Sequence, residues 1–262
     1  MYDDEGLLFT PQVRFELHRI SELISDQAYQ RALSQKHVEE TAGHFDLCQI
    51  NPIKVSFRNN KYYVLNGQHT MEAIALASGS RETKVWCMVY DDLEYEREAD
   101  IFANQMKYTK ALRPLEVFKA KLEAGEGEAL SIQALVDSYN LTLDEKPRDC
   151  TIGAVASLEE IYRKYGYHIL DRTLYLIVNA WEGECRSFTA NILKAVARLI
   201  STYEEELKDE TFIDKLGCVS VNEICRSASE RRAGSLGFAE TILTYYNRKC
   251  TNPLHNTKLY RR

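Results

Sequence analysis

The sequence predicts an α+β protein, with a sheet-bearing N-terminal domain over residues 1–123 followed by an all-helical domain over residues 130–262. Three observations predict it. Residues 53–65 read as a β-hairpin, apolar residues at helical spacing take over from Gln68 and dominate beyond Glu94, and a Gly-rich break at Ala124–Glu128 separates two helical stretches.

In the hairpin, Ile53, Val55 and Phe57 alternate with Lys54 and Ser56, the pattern of a strand with one buried face. Arg58 to Lys61 make a polar turn, and Tyr62 to Leu65 form the return strand. Gly67 ends that strand. From Gln68 onward, Met71, Ala73, Ile74 and Ala77 fall at helical spacing, so the backbone amides of residues 67–70 are the unpaired donors of a helix N-terminus. Free N–H groups and the positive end of a helix dipole converge there, which suits an anion.

Downstream, Glu94–Tyr108 and Leu115–Glu123 carry apolar residues three and four apart. Ser131 has the character of an N-cap for a short helix ending at Asn140. After a loop over 142–149, helices are expected near 150–165, 167–182, 187–206, 209–216, 220–230 and 235–247, with Gly166 as the C-cap between the first two. A helix-turn-helix beginning at Ser131 fits incompletely, because the stretch through Pro147 is too long for a tight turn and Ile152–Ile161 is small and apolar. Trp86 and Trp181 lie in apolar segments, where core packing is the expectation.

Composition bounds the function. The chain has 262 residues, 45% hydrophobic and 27% charged, the proportions of an ordinary globular protein. No apolar run has the length of a membrane span and the N-terminus lacks a signal-peptide pattern, so a cytoplasmic location without membrane partners is expected. Seven cysteines, odd in number and without a Cys-x-x-Cys pair, point to reduced thiols. The six histidines show no metal-ligand spacing.

Charge is distributed unevenly. Residues 1–98 hold 16 acids and 10 bases, a net of −6, while residues 99–262 hold 23 of each. The first domain is therefore not a basic DNA-binding surface. At the other end, residues 241–262 contain Arg248, Lys249, Lys258, Arg261 and Arg262 with no acid, interleaved with Tyr245, Tyr246 and Tyr260. Such a tail suits phosphates and stacked bases, and it equally suits a solvated chain end.

Three short segments carry a family resemblance. Ile20–Arg31 with its Gln30-Arg31 ending, Asn66-Gly67-Gln68-His69-Thr70, and Ala103-Asn104-Gln105-Met106-Lys107 followed by Leu112–Phe118 occur in the order of the boxes of the ParB/sulfiredoxin-like superfamily, which this chain resembles across residues 12–123. The helical half, with Leu170–Trp181 and Tyr246–Lys249, resembles uncharacterised phage and plasmid proteins whose N-terminal portion is ParB-like. The resemblance implies a nucleoside triphosphate with magnesium at the helix start, held by Arg31, Asn66, Gly67, Gln68, His69, Thr70, Asn104 and Lys107. It implies DNA as a partner, the contacts then falling in the helical half or the basic tail, and is compatible with a homodimer. The departures are specific: Thr70 stands where the family has a phosphate-gripping arginine, Ala103 replaces a glutamate, and Lys107 replaces an arginine, losing its planar bidentate geometry.

Each candidate has a structural alternative. His69 has no carboxylate or nucleophile at fixed spacing, Gln68 suits a cap or a ligand, Arg31 suits a phosphate or a nearby acid, and Asn104 and Lys107 share one helical face. Three function classes stay open: a DNA-associated regulatory or partition-like protein of a mobile element that responds to nucleotide; a ParB-like nuclease or nucleotide hydrolase; and a protein-interaction module with a degenerate nucleotide pocket. The boxes hold no clustered carboxylates for two-metal chemistry.

Overall fold

Alternation of side chains across the strands organises the N-terminal unit around a five-stranded sheet. The computed structural model describes residues 13–25, 29–104, 107 and 111–260. Strands β1 (Arg14–Arg19), β2 (Leu23–Ser25), β3 (Ile53–Arg58), β4 (Lys61–Asn66) and β5 (Lys84–Asp91) stand in the order β1-β5-β3-β4-β2. The β3–β4 hairpin turns on Asn59 and Asn60, both at positive φ (51° and 58°), the combination that matches strand twist in a two-residue turn. β3 also pairs parallel with β5, and β2 parallel with β4. Helices α1 (Gln35–Gly43), α2 (Gln68–Ser78) and α3 (Tyr95–Asn104) complete the unit. Ile53, Val55, Val64, Val85, Cys87 and Val89 of the sheet bury against Met71 and Ile74 of α2 and against Ile20 and Leu23.

The outer side of this sheet departs from expectation at Trp86. Its side chain is 56% exposed, because on β5 Val85, Cys87 and Val89 take the buried face and leave Trp86 on the other. Trp181 is buried as expected, its indole N–H shared between the carbonyls of Leu216 and Val219 at 3.1 Å.

In the second unit lie α4 (Pro114–Glu123), α5 (Gly127–Ser138), α6 (Val155–Tyr165), α7 (Tyr167–Trp181), α8 (Ala190–Tyr203), α9 (Asp209–Gly217), α10 (Val221–Arg231) and α11 (Ser235–Asn247). The last six lie within a few residues of the sequence expectation. Gly166 separates α6 from α7 at φ 85°, its N–H donating to Tyr162 O at 2.8 Å.

Two expectations are corrected here. The compact units divide between residues 110 and 111 rather than at the Gly-rich break, because Leu115 and Phe118 of α4 are buried in the core of the second unit. The helix expected from Ser131 begins at Gly127, and Ser131 sits inside it with its hydroxyl donating to Gly127 O at 2.8 Å. The turn at Tyr139–Asn140 that follows leads into a strand, not a second helix. The two-residue strands β6 (Thr142–Leu143) and β7 (Thr151–Ile152) pair in parallel between α5 and α6, and Val155, Leu158 and Ile161 of α6 are buried, so this segment is core rather than a recognition helix.

Candidate functional site

The β4–α2 junction has the geometry its residues dictate. Gly67 is the N-cap of α2 at φ 103°, a region L side chains avoid, and a Cβ built on it meets Ile53 Cδ1 at 2.8 Å. The first helical bond runs from Met71 N–H to Gly67 O at 2.8 Å, and no side chain caps the helix. Among the described residues the amides of Gln68, His69 and Thr70 therefore have no capping acceptor.

That helix start borders two cavities. One, of about 130 Å³, is lined by Gln30, Arg31 and His37 together with Asn66–Thr70, Leu65 and Phe102. The other, of about 680 Å³, lies across Asn66, Gly67 and Thr70 toward Lys54 and the 44–52 loop. Among the described residues no carboxylate lines the smaller cavity and Arg31 makes no ion pair. The larger holds Asp46, whose carboxylate is committed to Cys48 N–H at 2.9 Å and Gln49 Nε2 at 3.1 Å. The field at the helix start thus favours a small anion.

The side chains after Gly67 are partly structural. Gln68 Nε2 donates to Arg31 O at 2.8 Å, tying the arginine's backbone to the helix. His69 Nε2 accepts the backbone N–H of Ser34 at 3.0 Å, which fixes the neutral ring's proton on Nδ1. Burial, reinforced by the nearby charges of Arg31 and His37, holds the His69 pKa below the ordinary imidazole value. Gln30 Nε2 donates to Val64 O, and its buried Oε1 has no partner among the described residues.

Six of the expected residues, Arg31 and Asn66–Thr70, thus line one cavity. Asn104 and Lys107 line neither. The Asn104 amide turns back on its own helix, donating to Asp100 O at 3.0 Å and Oδ1 at 2.7 Å. Its side chain borders neither cavity, and no chemistry is derived through magnesium. Sequence reasoning missed His37, Phe102 and Lys54, which lie in other elements and reach the site only through folding. Among the described residues no three of His, Cys, Asp and Glu come together as a metal site.

The basic C-terminal segment is packed rather than splayed. Tyr245 and Tyr246, expected as stacking platforms, are 5% and 3% exposed. Tyr245 OH donates to Glu223 Oε1 at 2.7 Å and carries Arg248 over its ring at 3.9 Å, and Tyr246 OH accepts Lys208 N–H at 3.0 Å. Their apolar rings complete the second core, which withdraws them from any base. Lys258 pairs with Glu206 at 2.5 Å, and Tyr260 OH donates to Glu240 at 2.6 Å. Lys249 is exposed beyond the end of α11, and Arg261 and Arg262 lie outside the described residues.

Among solved structures, the chain is similar to the C-terminally truncated chromosome-partitioning protein ParB from Caulobacter crescentus complexed with CTP-γ-S, at 15% identity and a TM-score of 0.37 over 88% of this chain and 99% of that one. No curated protein matches it. A family model does match, over residues 24–257, and the chain belongs to that family, the family of unknown function DUF6551.

Proposed function

We propose that this protein is a DNA-associated regulatory protein of a mobile element whose N-terminal unit responds to a nucleoside triphosphate. One observation carries the nucleotide part: the start of α2, uncapped among the described residues, opens between a phosphate-sized cavity with no carboxylate in its described lining and a second one of about 680 Å³, within the range of small-ligand sites. At about 130 Å³ the first cavity is too small for a whole nucleotide. In this reading a terminal phosphate rests on the amides of Gln68–Thr70 beside Arg31, and the nucleoside extends past Gly67 toward Lys54 and Asn51.

Calorimetric titration of ATP, CTP and GTP, with and without magnesium, tests it on wild type, Arg31→Ala and Thr70→Arg. Loss of a charged hydrogen bond costs about 1.5–3 kcal/mol, so Arg31→Ala is expected to weaken binding at least about tenfold. Thr70→Arg, which restores a planar phosphate donor, is expected to tighten it. Equal affinities in all three proteins, or no heat from wild type, overturn the docking.

A second reading, a protein-interaction module with a degenerate pocket, is favoured by the outer face of the β1–β5 pair. There Phe15, Leu17 and Trp86 are 56%, 47% and 56% exposed, with Leu17 directly opposite Trp86. Silence toward both nucleotide and DNA supports this reading over the first.

A further inference from the structure

Lys164 near the end of α6, Lys194 and Arg198 one turn apart on α8, and Ser235 at the start of α11 line a cavity of about 50 Å³ in the helical unit. The chain as a whole carries a net charge of −6, so three cations around one recess form a local reversal of its field. Among the described residues one carboxylate lines the recess, that of Glu160, and it pairs with Lys194. Arg198 spends one donor on Leu259 O at 2.8 Å and keeps the rest of its guanidinium. Counting Glu160 against Lys164, Lys194 and Arg198 leaves two positive charges in excess among the described lining residues.

We infer that this recess is a contact site for a nucleic-acid backbone, with a phosphodiester group seated among Lys164, Lys194 and Arg198. The volume admits a single tetrahedral oxyanion and excludes a nucleobase. Binding here is therefore independent of sequence, and positions the duplex rather than reading it. The inference rests on the DNA-associated reading, and it moves the contact from the tail, where Tyr245 and Tyr246 are buried, to the end of α6, the middle of α8 and the start of α11.

Fluorescence anisotropy of a labelled 20-base-pair duplex with the full chain, titrated between about 50 and 200 mM salt, tests it. Wild type is expected to bind with an affinity that falls as salt rises. Removing two phosphate-contacting lysines in Lys164→Gln/Lys194→Gln lowers the slope of log affinity against log salt by about 1.8, at roughly 0.9 per contact. Glu160→Gln, which frees Lys194, is expected to tighten binding, a gain that misfolding does not produce. Wild-type binding with an unchanged slope in the double variant overturns the recess and leaves the DNA-associated reading standing. Absence of salt-dependent duplex binding by wild type, or binding to anionic vesicles in its place, overturns both.

Discussion

Gly67 shows how much a single residue decides. Its φ of 103° and the 2.8 Å approach of a Cβ to Ile53 Cδ1 make any substitution doubly unfavourable, through backbone strain and through displacement of a buried side chain. Gly67→Ala is expected to cost about 2 kcal/mol of stability in urea unfolding, the sum of a strained backbone and a small steric term. His69 is the other telling residue. Its pKa is depressed in the folded state, so the unfolded chain binds the proton first and stability rises with pH. The contribution is complete above the unfolded value near 6.5 and is lost as pH falls below it toward the folded value. Urea midpoints of wild type are expected to decline between pH 6.5 and 5, and His69→Gln to flatten that decline. The glycine and the helix start were legible in the sequence because backbone conformation is a local property. The task of His69 was not, since its partner Ser34 lies 35 residues away.

Among the elements, α3 is held to the sheet by a buried charge pair rather than by a broad apolar face. Glu98 is fully buried and receives Arg58 Nε at 2.7 Å and Nη2 at 3.4 Å, while the Arg58 guanidinium lies over the Tyr63 ring at 3.9 Å. Removing one partner of such a pair leaves the other charge desolvated, so Glu98→Ala is expected to cost about 3–5 kcal/mol in chemical denaturation. If the loss stays under about 1 kcal/mol, the pair is not what holds α3. Strands β1 and β5 escaped the sequence reading for a related reason. On β5 the outward positions are Trp86, Met88 and Tyr90, so apolar residues occupy both faces and the two-residue period disappears. On β1 the alternation exists, but Phe15 and Leu17 take the exposed face. Helices α6 to α11 were legible because each presents a repeating apolar stripe to one core.

For the molecule as a whole, two separate cores imply two separable stabilities. The smaller centres on Val55, Val64 and Val89, and the larger on residues such as Leu174, Ile177 and Leu199. Calorimetry is expected to resolve two unfolding transitions, with Leu174→Ala lowering one by about 2–5 kcal/mol and Val55→Ala lowering only the other. A single transition shifted by both variants refutes that independence. The amino-acid sequence by itself determined the α+β class, the hairpin into a glycine-started helix and most of the helical half, because turn chemistry and hydrophobic period act over a few residues. Only the tertiary structure decided that Arg31 and His37 join Asn66–Thr70 around one cavity, that Asn104 stays outside it, and that Tyr245 and Tyr246 are buried. Those outcomes depend on which distant side chains compete for the same space and the same hydrogen bonds, and nothing local in the chain specifies the winner.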